Sequence, residues 1–274
     1  MRRRTVKPIL RWAGSKRATL HALVPFWNPT FEMYVEPFCG SAALFFSLES
    51  NSATLSDLNS DLINFYSVLR ADPVGLHREA AAIPRNEQTY YATRLLYNKC
   101  TDSFLRAAYF YFLNKNCFNG LFRTSLTGNF NVPYSGARTG EYPSISIFLE
   151  AAELLKGATL ISGDFEVVVA RALSRRCLVY LDPPYASGTR QPFAAYHPNS
   201  FSPLDLDRLE SLLDHIDRKG STFILTYSDE KAISGRFARW QRRAHVVRRN
   251  ISGFAGARKL TAETLFTNGA LSHA

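Results

Sequence analysis

Hydrophobic and polar positions follow two distinct patterns along the chain. Short runs of apolar, β-branched and aromatic residues, bounded by polar or turn-forming residues, predict strands. These runs cover residues 32–36, 53–57, 158–162, 177–182, 222–227, 244–250 and 263–267. Longer stretches repeat apolar residues every three or four positions, which is typical of helices with one buried face. The predicted helices cover residues 15–24, 42–48, 62–69, 87–98, 104–113, 146–155, 165–173, 204–218 and 230–240.

The order of these elements predicts an α/β fold. Strands alternate with helices in the first and last parts of the chain, which favours a mostly parallel sheet covered by helices. Residues 63–153 interrupt this alternation, because they are mainly helical and then rich in Gly, Asn, Thr and Pro from 114 to 143. We therefore predict a discontinuous α/β domain of residues 1–62 and 154–274, with a helical domain of residues 63–153 inserted into it. No apolar run approaches the roughly 20 residues that span a bilayer.

Composition and charge point to a folded protein that binds nucleic acid. Of 274 residues, 46% are hydrophobic and 20% are charged, which excludes a disordered, collagen-like or coiled-coil chain. The net charge of +10 is concentrated, since residues 1–31 carry seven Lys or Arg, residues 231–262 carry nine, and neither segment contains an acid. This distribution favours a face that binds a polyanion, with a solubilising surface as the alternative. The cysteines have no CxxC spacing and no secretory signal precedes them, so we expect reduced thiols in a cytoplasmic protein.

An acid followed by two prolines and a tyrosine is the strongest chemical motif. The apolar run 178–181 ends at Asp182, and Pro183, Pro184 and Tyr185 follow it. Ligands of open α/β sheets bind at the carboxyl ends of strands, where this motif is expected to lie. The carboxylate and nearby carbonyls can accept hydrogen bonds from an exocyclic amino group, and the tyrosine ring can stack on a planar base. The alternative is a proline-rich strand exit with a capping aspartate.

Two further motifs favour an adenosine-containing cofactor. After the strand that ends at Glu36, the small residues around Gly40 predict a tight turn that lets a ligand approach the backbone. A second strand ends at Asp57, where an acid commonly binds ribose hydroxyls. The dinucleotide motif GxGxxG is absent, and an ordinary strand–turn–helix with a capping acid is the alternative. Near the start of the chain lie Trp12 and Lys16, around a Gly-Ser pair that lacks the other residues of a phosphate-binding loop.

In their order along the chain, these motifs resemble those of the Dam-type DNA adenine-N6 methyltransferases, the D12 or alpha group of amino-methyltransferases. The similarity covers nearly the whole chain. The matching segments are residues 12–16, 36–40, 57–63, 114–123, 128–133, 182–185, 193–196 and 252–263. The resemblance implies a mostly parallel, seven-stranded Rossmann-like methyltransferase sheet that binds S-adenosylmethionine. It also implies that the inserted helical domain recognises the DNA target and carries a DNA-binding hairpin.

The resemblance assigns cofactor and catalytic roles to individual residues. The residues that match S-adenosylmethionine contacts in the family are Trp12, Lys16, Phe38, Gly40, Asp57, Asp164, Phe165 and Asp182. The catalytic tetrapeptide corresponds to Asp182, Pro183, Pro184 and Tyr185. In this interpretation the target adenine flips out of the duplex, stacks on Tyr185, and places N6 near Asp182 and the Pro183 carbonyl. The methyl group is transferred directly, without a metal ion or a covalent enzyme intermediate.

A second set of residues is expected to contact double-stranded DNA. The residues that match the family's DNA-binding segments are Arg11, Phe118, Asn119, Leu121, Arg123 and Pro133. In this interpretation Arg123 reads a guanine edge with two hydrogen bonds, Phe118 wedges beside the flipped base, and GATC is the predicted site. The basic residues predicted to contact phosphates are Arg248, Arg249 and, in a glycine-containing loop, Arg258 and Lys259. We expect a monomer without an obligate protein partner; genome maintenance, restriction–modification and a phage setting all stay open.

Three positions depart from the family pattern. Ala42 stands where the family has a second glycine in the cofactor turn, and a methyl group there is unfavourable if the backbone needs a positive φ. Arg11 stands where relatives often carry Lys, and an arginine can contact a guanine with two hydrogen bonds. Residues 134–138 replace the family's usual Gly-Arg-Tyr-Lys, which bears on the details of site recognition.

Other functions are open at this point. An amino-methyltransferase could act on another DNA site, on RNA, or on a protein glutamine, although glutamine-directed relatives usually carry Asn in place of Asp182. A metal-dependent nuclease could use Asp164, Asp182 and Glu210, but the two prolines after Asp182 give no reason to expect such a site. A non-enzymatic DNA-binding module is the third alternative, against which the intact Asp-Pro-Pro-Tyr argues.

Overall fold

A seven-stranded sheet forms the centre of the molecule. The computed structural model describes residues 6–48, 50–174, 176–184, 201–227, 235–250 and 258–269. For residues 245–250 and 258–262 only the backbone is described. The strands are β1 (Met33–Glu36), β2 (Ala53–Asp57), β3 (Ala158–Ser162), β4 (Cys177–Leu181), β5 (Thr222–Tyr227), β6 (Gln241–Asn250) and β7 (Arg258–Thr267). Their order in the sheet is β3-β2-β1-β4-β5-β7-β6. Strands β1 to β5 are parallel, and β7 runs antiparallel to both of its neighbours. The seven predicted strands and the mostly parallel α/β sheet are confirmed.

A crevice opens at the carboxyl ends of β1 and β4. These strands are neighbours, with Val35 paired with Val179, but the chain continues from β1 towards one edge of the sheet and from β4 towards the other. At such a reversal of strand order the connections diverge and leave space for a ligand. All residues of β4 are buried, as expected for a central parallel strand covered on both faces. The chain therefore delivers Glu36 and Asp182 to the same edge of the sheet.

Helices cover the sheet, and most were predicted from periodicity. In the described part of the chain they are α1 (Leu20–Leu23), α2 (Ser60–Ala71), α3 (Pro73–Ala82), α4 (Glu87–Lys99), α5 (Ser103–Asn116), α6 (Ile145–Leu155), α7 (Phe165–Ala172) and α8 (Pro203–Arg218). Predictions for α2 and for α4 to α8 are confirmed to within a few residues. Helix α3 was not predicted, because its buried side chains Leu76 and Ala80 are too few for a clear apolar repeat. Its start is nevertheless marked by Pro73 in the first turn and by the cap Asp72, which accepts the N–H of Gly75.

Two predicted helices near the sheet differ from the structure. Residues 15–24 form the 3₁₀ turn Lys16–Ala18 followed by the single turn of α1, and the predicted helix 42–48 is replaced by the 3₁₀ turn Phe45–Ser47. Ala42 has a φ of +49°, a left-handed conformation that an α-helix does not contain. Of the predicted helix 230–240, residues 230–234 lie outside the described part, and the remainder forms turns and a bend.

Helices α2 to α6, which lie between β2 and β3 in the chain, share a core with the sheet. This core combines strand residues such as Leu55 and Tyr180 with helix residues such as Leu69, Phe112 and Phe148. Burying such side chains stabilises the contact by roughly 25 cal/mol per Å² of apolar surface. The division of the chain into two domains stays a prediction. In the described residues, no helix combines the length and the apolar character needed to cross a membrane.

One carboxylate links three of these helices. Asp61 of α2 accepts hydrogen bonds from Nε and Nη2 of Arg106 on α5 at 2.5 and 2.8 Å, and from the hydroxyl of Tyr97 on α4. The Arg106 guanidinium lies 4.5 Å from the centre of the Tyr97 ring and also donates to the carbonyl of Cys100 at 3.0 Å. Because the Asp61 side chain is only 16% exposed, these bonds are poorly screened by water.

We predict that Asp61→Asn lowers the free energy of unfolding by about 2 kcal/mol, because a half-buried guanidinium loses its anionic partner. Urea denaturation measures this change. The matched control is Glu153→Gln, which removes an exposed ion pair with Lys156 and should change stability by less than about 0.5 kcal/mol. Equal losses for the two variants would contradict the prediction.

Candidate active site

The crevice at the carboxyl ends of β1 and β4 forms an open recess. Three segments line it: the N-terminal segment 12–16, the turn that follows β1, and the end of β4. Five residues predicted as cofactor contacts border this recess, namely Trp12, Lys16, Phe38, Gly40 and Asp182. Residues far apart in the sequence are thus brought together at one edge of the sheet.

The turn after β1 is fixed by hydrogen bonds with two side chains and is covered by an indole ring. The N–H of Gly40 donates to Oδ2 of Asp57 at 3.1 Å, and its carbonyl accepts from the Tyr66 hydroxyl at 2.8 Å. Gly40 has a φ of +46°, and a Cβ atom there would lie 2.7 Å from Cδ1 of Trp12. Only glycine therefore fits this position. Two residues on, the buried Ala42 also has a positive φ, the conformation that the glycine of the family pattern would favour.

Asp57 ends β2 directly beneath this turn. Besides the Gly40 N–H, its carboxylate accepts the N–H of Asn59 at 3.0 Å. Burial raises the pKa of Asp57, and these backbone donors oppose the rise because they stabilise the anion. The side chain is only partly covered, so a carboxylate acceptor stands at the rim where β1 and β2 end.

A buried lysine holds the carboxylate of Asp182. Nζ of Lys16 lies 2.7 Å from Oδ1 of Asp182 and 2.8 Å from Oε1 of Glu263 on β7, and the Lys16 side chain is 7% exposed. The Thr226 hydroxyl of β5 donates to the same Oδ1 at 2.9 Å. Burial raises the pKa of Asp182, and the Lys16 ammonium counteracts this most strongly. The contacts with Lys16 and Thr226 both use Oδ1, so they fix the carboxylate by one of its two oxygens.

Glu36 is a second buried carboxylate in the recess. Its Oε2 accepts a hydrogen bond from the Tyr34 hydroxyl at 2.9 Å, and the residue is 3% exposed. Burial, reinforced by the negative charge of Asp182, raises the pKa of Glu36 to about 8, although the Tyr34 bond acts in the opposite direction. Glu36 is therefore mostly protonated at neutral pH in the protein without ligands.

A cluster of three phenylalanine rings begins at Phe38 and continues away from the recess. The Phe38 ring lies 5.2 Å from that of Phe165 at the start of α7, and Phe201 packs against both rings. Asp164 caps α7 by accepting the Glu166 N–H at 3.1 Å. Phe165 thus packs on Phe38, which borders the recess, and the assignment of Asp164 and Phe165 to the cofactor stays a prediction.

Arg208 of α8 organises this end of the site. Its guanidinium binds Asp164 at 2.5 Å, Glu166 at 2.8 Å and Asp205 at 2.9 Å, and lies 4.7 Å from the centre of the Phe165 ring. The three carboxylates together raise its pKa, led by the hydrogen bond with Asp164. Asp164 is thus oriented by both a helix N-terminus and an ion pair.

The predicted DNA-binding hairpin follows α5. Cys117 and Tyr134 form an antiparallel bridge at its base, and a second bridge pairs Thr124 with Phe130. Arg123 donates from Nε to Oδ1 of Asn131 at 2.7 Å, which anchors its guanidinium across the hairpin. Of the other predicted residues, Asn119 and Pro133 are exposed and Phe118 and Leu121 are half-buried.

Arg11 lies against the base of the hairpin. Asn114 of α5 accepts the Arg11 N–H at 2.9 Å and donates to its carbonyl at 2.6 Å. Nη1 of Arg11 donates to the carbonyls of Lys115, Cys117 and Arg138 at 3.3 to 3.4 Å. The segment that begins with Arg11 and Trp12 therefore connects the hairpin with the recess.

Several predicted residues lie apart from these contacts. Tyr185 lies outside the described residues, whereas Pro183 is buried and Pro184 is exposed. Strand pairing sets Arg249 of β6 opposite Lys259 of β7, and Arg248 and Arg258 lie in the same two strands. The expectation of a glycine-containing loop around Arg258 and Lys259 is wrong, because β7 begins there to pair with β6. The roles of these four basic residues stay predictions.

Thr226 and Glu263 were not predicted from the sequence, and Glu36 was given no role of its own. Glu36 and Glu263 had a detectable signal, because each is an acid in a run predicted as a strand, where acids are depleted. Thr226 gave none, since threonine is common in strands.

The carboxylates of the nuclease alternative face basic groups. Asp164 binds Arg208, and Glu210 of α8 lies 3.4 Å from Arg236. A search of the described residues finds no group of three His, Cys, Asp or Glu that could hold a metal ion.

The sheet, the Gly40 turn and the acid at the end of β4 define a methyltransferase-like site. Residues 12–249 match the model of the D12 class N6 adenine-specific DNA methyltransferases, and the chain belongs to this family. It is 33% identical to the retron Ec67 DNA adenine methylase of Escherichia coli, over 96% of this chain and 91% of that protein. It is 32% identical to the DNA adenine methylase of Salmonella typhi, over 94% of both chains. It is also 33% identical to the type II methyltransferase M.MjaIII of Methanocaldococcus jannaschii, over 81% of this chain and 84% of that protein.

The raised pKa of Glu36 predicts a pH dependence of stability. Its pKa is about 8 in the folded protein and ordinarily 4.5, so the folded state binds an extra proton between these values. The stabilisation is present below the lower pKa and is lost as pH rises towards the higher one. Wild type should therefore lose stability relative to Glu36→Gln by up to about 1.4 kcal/mol per pH unit between pH 5 and 8.

Urea denaturation of both proteins across this pH range, without ligands, measures the effect. The exposed variant Glu153→Gln, compared with wild type, should give a difference that does not vary with pH. A difference between wild type and Glu36→Gln that stays constant from pH 5 to 8 would refute the assignment.

Proposed function

We propose that this DNA methyltransferase uses S-adenosylmethionine to methylate N6 of an adenine that it flips out of double-stranded DNA, within GATC. The observation that carries the proposal is Asp182 at the end of β4, fixed through Oδ1 beside the Gly40 turn. Relatives named DNA adenine methylase, similar over nearly the whole chain, support the target base. We also propose a cytoplasmic monomer, because the substrate is DNA and the site is built from one chain.

The recess has the charge that this cofactor requires. Glu36 and Asp182 line it and Asp57 binds the turn at Gly40, whereas Lys16 is already paired with carboxylates. Such surroundings favour a ligand with positive charge, and S-adenosylmethionine carries a sulfonium and an ammonium group. The positive φ of Gly40 also lets a ligand come close to the backbone.

Individual residues suit different parts of the cofactor. We assign the Asp57 carboxylate to the ribose hydroxyls, since each of its oxygens can accept a further hydrogen bond. Phe38 and Phe165 offer apolar surface for the adenine ring, and Asp164 offers an acceptor for its amino group. Glu36 is buried in the recess and can face the ammonium group once it loses its proton. Bound in this way, the cofactor supplies a methyl group on a positively charged sulfur.

At the reacting end, Asp182 positions the target nitrogen. We assign its Oδ2 as the acceptor for the N6 amino group, because the contacts with Lys16 and Thr226 that fix the carboxylate are made through Oδ1. Lys16 favours the ionised carboxylate, the form that accepts hydrogen bonds. The Pro183 carbonyl is proposed as the second acceptor, and Tyr185 as the ring that stacks on the adenine.

This arrangement accelerates the reaction mainly by orientation. N6 attacks the methyl carbon directly, the carbon–sulfur bond breaks as the carbon–nitrogen bond forms, and N6 then releases a proton to solvent. Holding the two reactants in line removes much of the entropic barrier. Extruding the base costs a few kcal/mol, which the stacking and hydrogen bonds in the recess offset.

We assign recognition of the DNA sequence to Arg11 and the hairpin. Asn131 engages one edge of Arg123 and leaves the other edge of its guanidinium for a guanine. Asn119 and Pro133 are exposed near it and can contact the neighbouring bases or backbone. Arg248, Arg249, Arg258 and Lys259 are proposed to bind phosphates and to make the affinity depend on salt.

The test uses tritiated S-adenosylmethionine and two duplexes, one with a single GATC and one with GTAC in its place. We expect label on N6 of adenine in the first duplex only. Asp182→Asn should lower the rate by about 10²-fold or more, since a preorganised acceptor is lost. The control Asp207→Asn, whose carboxylate pairs with Arg236 on the surface, should keep wild-type activity.

Each alternative outcome contradicts a distinct part of the proposal. Label on both duplexes would refute GATC as the site. Label on neither, from protein that binds the cofactor, would refute the proposed substrate site. An undiminished rate in Asp182→Asn would refute the role of Asp182.

A further inference from the structure

The indole of Trp12 lies between the cofactor turn and the hairpin. Its pyrrole edge is so close to Gly40 that a Cβ atom there would lie 2.7 Å from Cδ1 and 2.9 Å from Nε1. The indole also stacks on Phe122, with ring centres 6.1 Å apart and planes at 20°. Phe110 of α5 makes a more tilted contact at 6.4 Å. In the described part of the chain, one side chain thus touches both the recess and the hairpin.

Phe122 belongs to the hairpin itself. It directly precedes Arg123, and its ring packs 5.6 Å from Phe130, the residue that pairs with Thr124 across the hairpin. It also lies 5.8 Å from Phe110, which anchors it to α5. The ring that supports Trp12 is therefore held in place by the same segment that carries the predicted guanine reader.

The backbone before Trp12 is also attached to the hairpin base. Both backbone groups of Arg11 bind the Asn114 side chain, at 2.9 and 2.6 Å. A Cβ atom on Gly120 would lie only 2.4 Å from the Cβ of Arg11, so the two segments are in direct contact. Farther along the same segment, Lys16 reaches Asp182. The segment that carries Trp12 is therefore attached to the hairpin at one end and to the recess at the other.

We propose that Phe122 is a positioning residue for the cofactor recess: its ring holds the Trp12 indole over Gly40, so that the hairpin contributes to affinity for S-adenosylmethionine. This inference rests on the proposed function. The inference extends the proposed function, because Phe122 lies outside the recess and contacts the recess through Trp12. Linkage requires that the cofactor, in turn, strengthens DNA binding to the extent that it stabilises the same hairpin arrangement.

The test compares variants of two rings in the same hairpin. Phe122→Leu removes the stack on Trp12, whereas Tyr134→Leu removes a ring of the hairpin that packs on Tyr90 of α4. Calorimetric titration of the DNA-free proteins with S-adenosylmethionine should show about two- to tenfold weaker binding for Phe122→Leu. Tyr134→Leu and the ring-preserving Phe122→Tyr should stay within about twofold of wild type. If Phe122→Leu does not fold, Phe122→Met takes its place.

Kinetics provide a second readout. Under saturating DNA, Phe122→Leu should raise KM for S-adenosylmethionine by the same factor and leave kcat nearly unchanged, because the chemistry at Asp182 is untouched. Equal weakening by Tyr134→Leu, or unchanged binding in Phe122→Leu, would overturn the inference. Failure of Phe122→Tyr to restore affinity would also overturn it. Wild type that does not bind S-adenosylmethionine would instead refute the proposed function, and with it this inference.

Discussion

The structure depends on a buried arrangement of acids around one lysine. Lys16 pairs with Asp182 and Glu263 at once, and Glu36 lies in the same recess. Carboxylates in a poorly hydrated site repel one another, and removing the cation would leave them uncompensated. The fold satisfies this constraint by bringing the N-terminal segment back onto the sheet and by placing β7 next to β5. It also leaves a surplus of acidic groups, which suits a cationic cofactor.

The same segment that delivers Lys16 delivers Arg11 and Trp12. Arg11 is bound to α5 and the hairpin base, and Trp12 covers Gly40. Because these residues are neighbours in the chain, the recess and the hairpin cannot be positioned independently. The helices between β2 and β3, which share the core of the sheet, support the hairpin from the other side. The site is thus a joint product of the sheet, the N-terminal segment and the helices.

Local signals predicted a large part of this molecule. Apolar runs predicted the seven strands, and the position of Asp182 after such a run predicted its place at the carboxyl edge of the sheet. Local signals failed where backbone conformation or long-range pairing decides. The positive φ of Ala42 replaces an expected helix with a turn, and no periodicity indicates it. The antiparallel position of β7, and with it the pairing of Lys16 with Glu263, depends on contacts between opposite ends of the chain.

The most direct test of the account is a crystal structure with S-adenosylhomocysteine and a GATC duplex. The account predicts an extrahelical adenine with N6 within hydrogen-bonding distance of Oδ2 of Asp182. It also predicts the cofactor product in the recess, with Asp57 at the ribose. An adenine that remains stacked in a fully occupied complex, or a flipped base bound away from Asp182, would contradict it.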